Sequence, residues 1–243
     1  MHVVVLQHAD AEHPGHLRHL LAEDGHTMQQ VNLHRGAALP DLDEADALWV
    51  MGGPMDVWQE DRFSWLAAEK RYIHDAVSTR GLPFLGLCLG HQLLAEALGG
   101  RVGPGTPEIG VMPVSYTEAG ISSVFFDGIE GPIDALQWHG AEVVALPAGA
   151  RVLATSADCA VQAFSWGPRA LALQFHVEVE ASTVDDWLQI PEYARALERA
   201  LGAGGAAVLR TECAARLPVM NAIAERIYIN WLQAMTQAET RGQ

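Results

Sequence analysis

Pro83 to Gly100 reads PFLGLCLGHQLLAEALGG: an apolar run, one cysteine between two glycines, and then a helix-like run closed by Gly99-Gly100. Gly86-Leu87-Cys88-Leu89-Gly90 has the G-x-nucleophile-x-G form of an elbow, where a strand turns sharply into a helix and flanking glycines remove Cβ clashes. Such a turn lifts the sulfur out of the sheet. The following helix points its free N–H groups and positive dipole end at it, which favours thiolate over thiol. The same five residues also suit a small buried cysteine between incidental glycines, so the decision needs a base and a place for negative charge.

LQFHVE, residues 173–178, offers both His176 and Glu178 at the end of a strand-like run. In extended chain, residues i and i+2 leave on the same side. If this strand lies beside the one leading to Cys88, His176 is placed to take the thiol proton and return it to a leaving amine, with Glu178 orienting the ring. VMGGPMDVW, from Val50, sits where a third strand should end, and Gly52-Gly53-Pro54 bares backbone for close approach to a ligand. The N–H groups of Gly53 and of Leu89, the residue after the cysteine, are candidates for an oxyanion hole.

Around these motifs, HVVVLQ, HTMQQVNL, ALWVMGG and LPFLGL alternate with helix-length segments beginning at His16, Arg62 and His91. Short apolar strands alternating with amphipathic helices argue for an α/β protein with a parallel sheet covered on both faces. From about Glu108, strand-like runs follow one another through short turns and read as meander material added to that sheet. After Glu180 the chain turns helical, ending in MNAIAERIYINWLQAMTQ, and GAGG at 202–205 reads as a loop. The expected organisation is one domain over 1–243, with a motif-bearing core at about 45–180 and a C-terminal helical segment at about 181–240.

Composition removes several function classes. Acidic residues outnumber basic ones by 30 to 15, a net charge of −15, and no Lys/Arg cluster suits a phosphate backbone, so nucleic acid is not an expected partner. Apolar runs are strand-length, which gives no expectation of membrane insertion and places the protein in the cytoplasm. Cys88, Cys159 and Cys213 are odd in number and widely spaced, as free thiols of a reducing compartment would be. No cofactor motif or P-loop is present, and no metal is expected: His13, His16 and His19 lack a completing carboxylate or thiol.

MGGPMDV, PFLGLCLGHQLLAEALGGRV, EIG, QWHG and LQFHVE, in that order, resemble the motifs of class I (triad-type) glutamine amidotransferases, and among stand-alone members the glutaminase domain of GMP synthase. The resemblance implies a flavodoxin-like three-layer sandwich with a mostly parallel central sheet. It also implies glutamine hydrolysis through a Cys88-His176-Glu178 triad and a γ-glutamyl thioester, with ammonia passed to an acceptor or a separate synthetase subunit. By the same resemblance Gln92, Trp138, His139 and Gly140 hold the substrate's α-amino and carboxylate end. One position departs: Val177 stands where the commonest family form has proline, so the orientation of the triad rests on an extended β-branched residue. A γ-glutamyl hydrolase or peptidase acting on another γ-glutamyl amide, and a non-catalytic binding protein on the same fold, remain as alternatives. His91, Cys159 and Cys213 read as bystanders, and Trp58 and Trp65 as packing or pocket-mouth residues.

Overall fold

The computed structural model describes residues 1–241, with side chains described as far as residue 236. In chain order the elements are β1 (His2–Gln7), α1 (His16–Glu23), β2 (Thr27–Asn32), β3 (Ala47–Val50), α2 (Trp65–His74), β4 (Phe84–Leu87), α3 (Leu89–Ala97), β5 (Arg101–Tyr116), α4 (Glu118–Ile121), β6 (Ile133–Ala145), β7 (Ala150–Thr155), β8 (Ala163–Trp166), β9 (Ala170–Leu173), α5 (Thr183–Trp187), α6 (Pro191–Leu201) and α7 (Gly205–Arg241). The strands form one sheet in the order β2-β1-β3-β4-β9-β8-β7-β5-β6.

Alternation along the central strands builds a core on each face of that sheet. Val3, Val5, Trp49, Leu85 and Leu87 face α1 and α7, whereas Val4, Leu6, Leu48, Val50 and Phe84 face α2 and α3. Trp49 packs edge-on against Trp231 of α7, ring centroids 5.6 Å apart, and the Trp231 indole N–H donates to the Phe84 carbonyl at 3.0 Å. These contacts give the α/β three-layer arrangement its two helical coats.

The sheet is mixed: a parallel half is extended by the meander strands expected after it, which make up a full antiparallel half. Pairings from β2 through β9 are parallel, and those from β9 through β6 are antiparallel. The cause is connection length: parallel neighbours need a crossover of about a dozen residues or more, and the short links among β7, β8 and β9 allow only antiparallel neighbours. β9 still ends up parallel to β4, with Leu87 opposite Leu173, so the strand leading to His176 does lie beside the strand leading to Cys88. β5 begins at Arg101, earlier than the expected change at Glu108, and the final helix begins at Gly205, well before Met220. Leu209, Cys213, Met220, Ile223, Ile227 and Trp231 are all buried along one side of α7, and this burial carries the helix through Pro218.

α3 lies unusually close to β3. A Cβ on Gly90 would stand 2.0 Å from the Val50 carbonyl oxygen, which is backbone of the central sheet and has no rotamer in which to escape. Gly90→Ala is therefore expected to destabilise the protein by about 1–3 kcal/mol or more, read as a lowered denaturation midpoint with an unchanged m-value.

Candidate active site

β4 ends at Leu87, and Cys88 takes φ 51° and ψ −100°, the sole non-glycine residue with positive φ among the described residues. That conformation costs roughly 1–3 kcal/mol and persists only where the surroundings over-determine it. Here the Cys88 N–H donates to the Leu173 carbonyl of β9 at 2.8 Å, and the Cys88 carbonyl accepts from the Gln92 N–H at 3.2 Å. α3 starts at Leu89, so its N-terminal N–H groups open toward the sulfur. Gly99, at φ 88°, and Gly100 then close the helix by donating to the Glu96 and Ala95 carbonyls.

His176 lies just beyond β9 and is locked there by a two-way backbone bridge to Leu136 of β6, at 2.9 and 3.0 Å. Its Nδ1 is 2.6 Å from Glu178 Oε1, and its ring meets the face of Trp187 at 4.7 Å. Burial alone would push the His176 imidazole down. The Glu178 charge, with hydrogen bonds to Cys88 and Glu178, outweighs that and holds it well above its ordinary value of 6.5. Val177 proves a useful departure from proline: its N–H, which proline lacks, donates to Glu178 Oε2 at 2.9 Å and fixes the second carboxylate oxygen. The Glu178 carbonyl in turn accepts from the His16 N–H at the start of α1, at 2.6 Å.

Cys88 opens on a cavity of about 440 Å³. Gly53, Leu89, Gln92, Trp138, His139 and Gly140 all line it, so the structure brings together every residue that the motifs nominated for substrate contact. The Gln92 side-chain amide donates to the Ala141 carbonyl and to Gln174 Oε1, at 3.3 and 3.0 Å. Gln174 reaches Cys88 Sγ with its own amide at 3.5 Å. Trp138 packs against Trp187 and Tyr193, with ring centroids at 5.5 and 5.8 Å. The Gly53 N–H has no acceptor among the described residues, the condition an oxyanion donor requires.

Several other groups join the site from distant parts of the chain. Glu192, Tyr193 and Arg199 of α6 form the outer wall, and the Tyr193 hydroxyl donates to the carboxyl of Glu12, which burial pushes up. Pro191 stands at the first turn of α6, and nothing in the local pattern says that the helix folds over the pocket. Under the floor, the side chains of Glu108, His139 and Cys159 converge within 4.8 Å of one another, a donor set of the kind that can hold a metal ion. Glu108 is already engaged: Ser156 Oγ and Gln162 Nε2 donate to it at 2.7 Å each, and its Oε2 lies 3.1 Å from His139 Nε2. Burial pushes the Cys159 thiol up to about 12. Cys159 lies in the turn between β7 and β8, and its sulfur adjoins the pocket residue His139.

The remaining nominated residues lie apart. His19 pairs with Glu180 at 2.9 Å while His13 accepts from the Gly15 N–H at 3.0 Å, so the three N-terminal histidines do not converge on one point. His91 is fully buried against Phe164, and burial pushes it down to about 3. Trp58 and Trp65 are not among the cavity's lining residues: Trp58 is exposed, and Trp65 stacks on His8.

With an elbow cysteine on a cavity and a buried His-Glu pair in place, the comparisons with known proteins decide the family. The profile of glutamine amidotransferase class-I matches residues 15–189. The chain belongs to the class I glutamine amidotransferase family. It is 34% identical over 174 residues to the glutamine amidotransferase-like protein YfeJ of Salmonella typhimurium, covering 69% of this chain and 72% of that protein. It is 33% identical to one subunit of the glutamine-hydrolyzing GMP synthase of Sulfolobus acidocaldarius, covering 68% of this chain and 86% of that one. Among solved structures, a glutamine amidotransferase of Thermotoga maritima superposes with a TM-score of 0.84 at 27% identity, over 95% of this chain and 97% of that one. Within the described part of this amidotransferase, no helix is long and apolar enough to cross a membrane.

The raised His176 value makes stability depend on pH. A histidine whose folded-state pKa lies above its unfolded value of about 6.5 contributes stability that is fully present below that value and lost as pH rises through the folded pKa. Glu178→Gln removes the charge responsible. The stability gap between wild type and Glu178→Gln should therefore be largest near pH 6 and shrink as the solution is made alkaline, as urea denaturation over about pH 6 to 10 will read.

Proposed function

We propose that this amidotransferase hydrolyses the side-chain amide of glutamine through a Cys88-His176-Glu178 triad. The observation that carries the reading is the strained Cys88 elbow at the edge of the cavity, with the buried His176–Glu178 pair beside it. The Cys88 sulfur, its proton already held on His176, attacks the amide carbon, and the carbonyl oxygen, now negative, is received by the N–H groups of Gly53 and Leu89. His176 then gives its proton to the departing nitrogen, ammonia leaves, and a γ-glutamyl thioester remains on Cys88. Water, deprotonated by His176, attacks the thioester, releases glutamate and restores the thiol. Gln92 and the segment Trp138 to Gly140 hold the α-amino and α-carboxylate end of the substrate. The whole chain acts as one glutaminase domain, with ammonia delivered to a separate synthetase subunit.

One observation favours a second reading. Arg199, on the outer wall of the cavity, forms no ion pair among the described residues and would meet an anionic leaving group larger than ammonia. On that reading the same triad cleaves a γ-glutamyl amide carrying a second acid. A comparison of kcat/KM for glutamine and a panel of γ-glutamyl amides decides between the two.

Cys88→Ala should abolish turnover, a fall of at least about 10⁴-fold, with the fold intact. A glutamine analogue electrophilic at its γ-carbon should label one thiol of the three, with glutamine protecting it. Burial holds the Cys159 and Cys213 thiols up to about 12 and about 11, so neither competes near neutral pH. Peptide mapping that places the label on either of them, or finds no protection by any γ-glutamyl compound, would overturn the triad.

A further inference from the structure

His8 follows β1 directly and is 1% exposed. Its two ring nitrogens each face an acceptor: Nδ1 lies 2.8 Å from the Gly52 carbonyl oxygen, and Nε2 lies 2.8 Å from Glu69 Oε1 on α2. A carbonyl oxygen only accepts, so Nδ1 must carry a hydrogen. Trp65 stacks on the ring at 5.4 Å with a 16° interplanar angle, leaving the imidazole no alternative plane. Nothing in the chemistry of the triad uses this residue, yet its hydrogen bond ends on the peptide that joins Gly52 to Gly53.

Within a trans peptide the C=O and the following N–H point in opposite directions. The one cis bond among the described residues is Gly131-Pro132, so Gly52-Gly53 is trans. A carbonyl held against His8 therefore turns the Gly53 N–H away from His8. Gly53 lines the cavity beside Cys88 and Leu89, and its N–H has no acceptor among the described residues. The two glycines offer little resistance of their own to rotation of the peptide between them, and Pro54 supplies no N–H to steady the loop. With the plane turned over, the carbonyl oxygen would replace the donor and repel developing negative charge.

We infer that His8, anchored by Glu69 and Trp65, is a positioning residue that locks the Gly52-Gly53 peptide in the orientation that aims the Gly53 N–H at the reacting amide oxygen. This rests on the reading of Gly53 as an oxyanion donor. Three groups act on the His8 ring from the elements packed around it: Glu69 from α2, Glu12 from the segment after β1, and the Gly52 carbonyl from the loop after β3. Burial works against a charged imidazole, and those groups together outweigh it and raise the pKa of His8 above its ordinary value.

Two substitutions of similar size separate the lock from simple core packing. Asn carries its amide nitrogen where Nδ1 lies and can still donate to Gly52; Gln reaches toward Glu69 and cannot. His8→Gln should lower kcat by about 10²- to 10³-fold with KM changed by less than about threefold, the signature of a lost transition-state donor. His8→Asn should recover kcat to within about tenfold of wild type. Crystal structures of both should show the Gly52 carbonyl turned in the Gln variant and unmoved in the Asn variant, a readout independent of activity. Equal kcat losses in the two variants, a loss confined to KM, or an unturned peptide in His8→Gln would each overturn the inference. Failure of the underlying triad is recognised separately, by turnover that survives Cys88→Ala.

Discussion

The site depends on one constraint, the positive φ of Cys88. A residue with a side chain enters that conformation only if neighbouring chain leaves it no better choice, and two features do so. β9 lies parallel to β4 in a register that gives the Cys88 N–H its acceptor on Leu173. α3 leans onto β3 closely enough that no side chain fits at Gly90. Hydrophobic burial over both faces of the sheet supplies the free energy that sustains the strained turn.

The proposed reacting groups and the residue proposed to position them share a second pattern. His8 follows β1, Gly52 and Gly53 follow β3, Cys88 follows β4, and His176 follows β9, so all emerge at the carboxyl ends of parallel strands that are neighbours in the sheet. Because β1 and β2 lie on one side and β3 onward on the other, the chain order reverses there and opens a crevice. Two buried acid-base pairs sit at these strand ends, His8 with Glu69 and His176 with Glu178.

Much of this was legible because it is local in the chain. Two glycines around Cys88, a histidine and a carboxylate two residues apart in an extended run, and a Gly-Gly-Pro at a strand end each constrain geometry within a handful of residues. What escaped the sequence is long-range. Short turns between the apolar runs after Glu108 made the antiparallel strands legible as a meander, but not their order in the sheet, which puts β9 beside β4 and β5 between β7 and β6. The extent of α7, which runs from Gly205 through Pro218, rests on tertiary burial that local punctuation does not show. The contacts of Tyr193 with Glu12 and of Cys159 with the Glu108–His139 pair join residues that no spacing rule relates.

α6 is an outer wall made by an element that carries none of the triad. It joins the neighbouring helix through a short glycine-rich link at 202–205 and is fastened to the sheet side of the pocket by the Tyr193–Glu12 hydrogen bond. Glu192, Ala196, Arg199 and Ala200 present themselves to the cavity on that helix, while the proposed bond-breaking groups sit at the strand ends. On the proposed function, two kinds of information are written in separate places: what chemistry is done, in backbone geometry intolerant of change, and which amide is admitted, in side chains of one helix. Such a division lets the range of amides accepted diversify by ordinary point substitutions without disturbing the machinery that cleaves them.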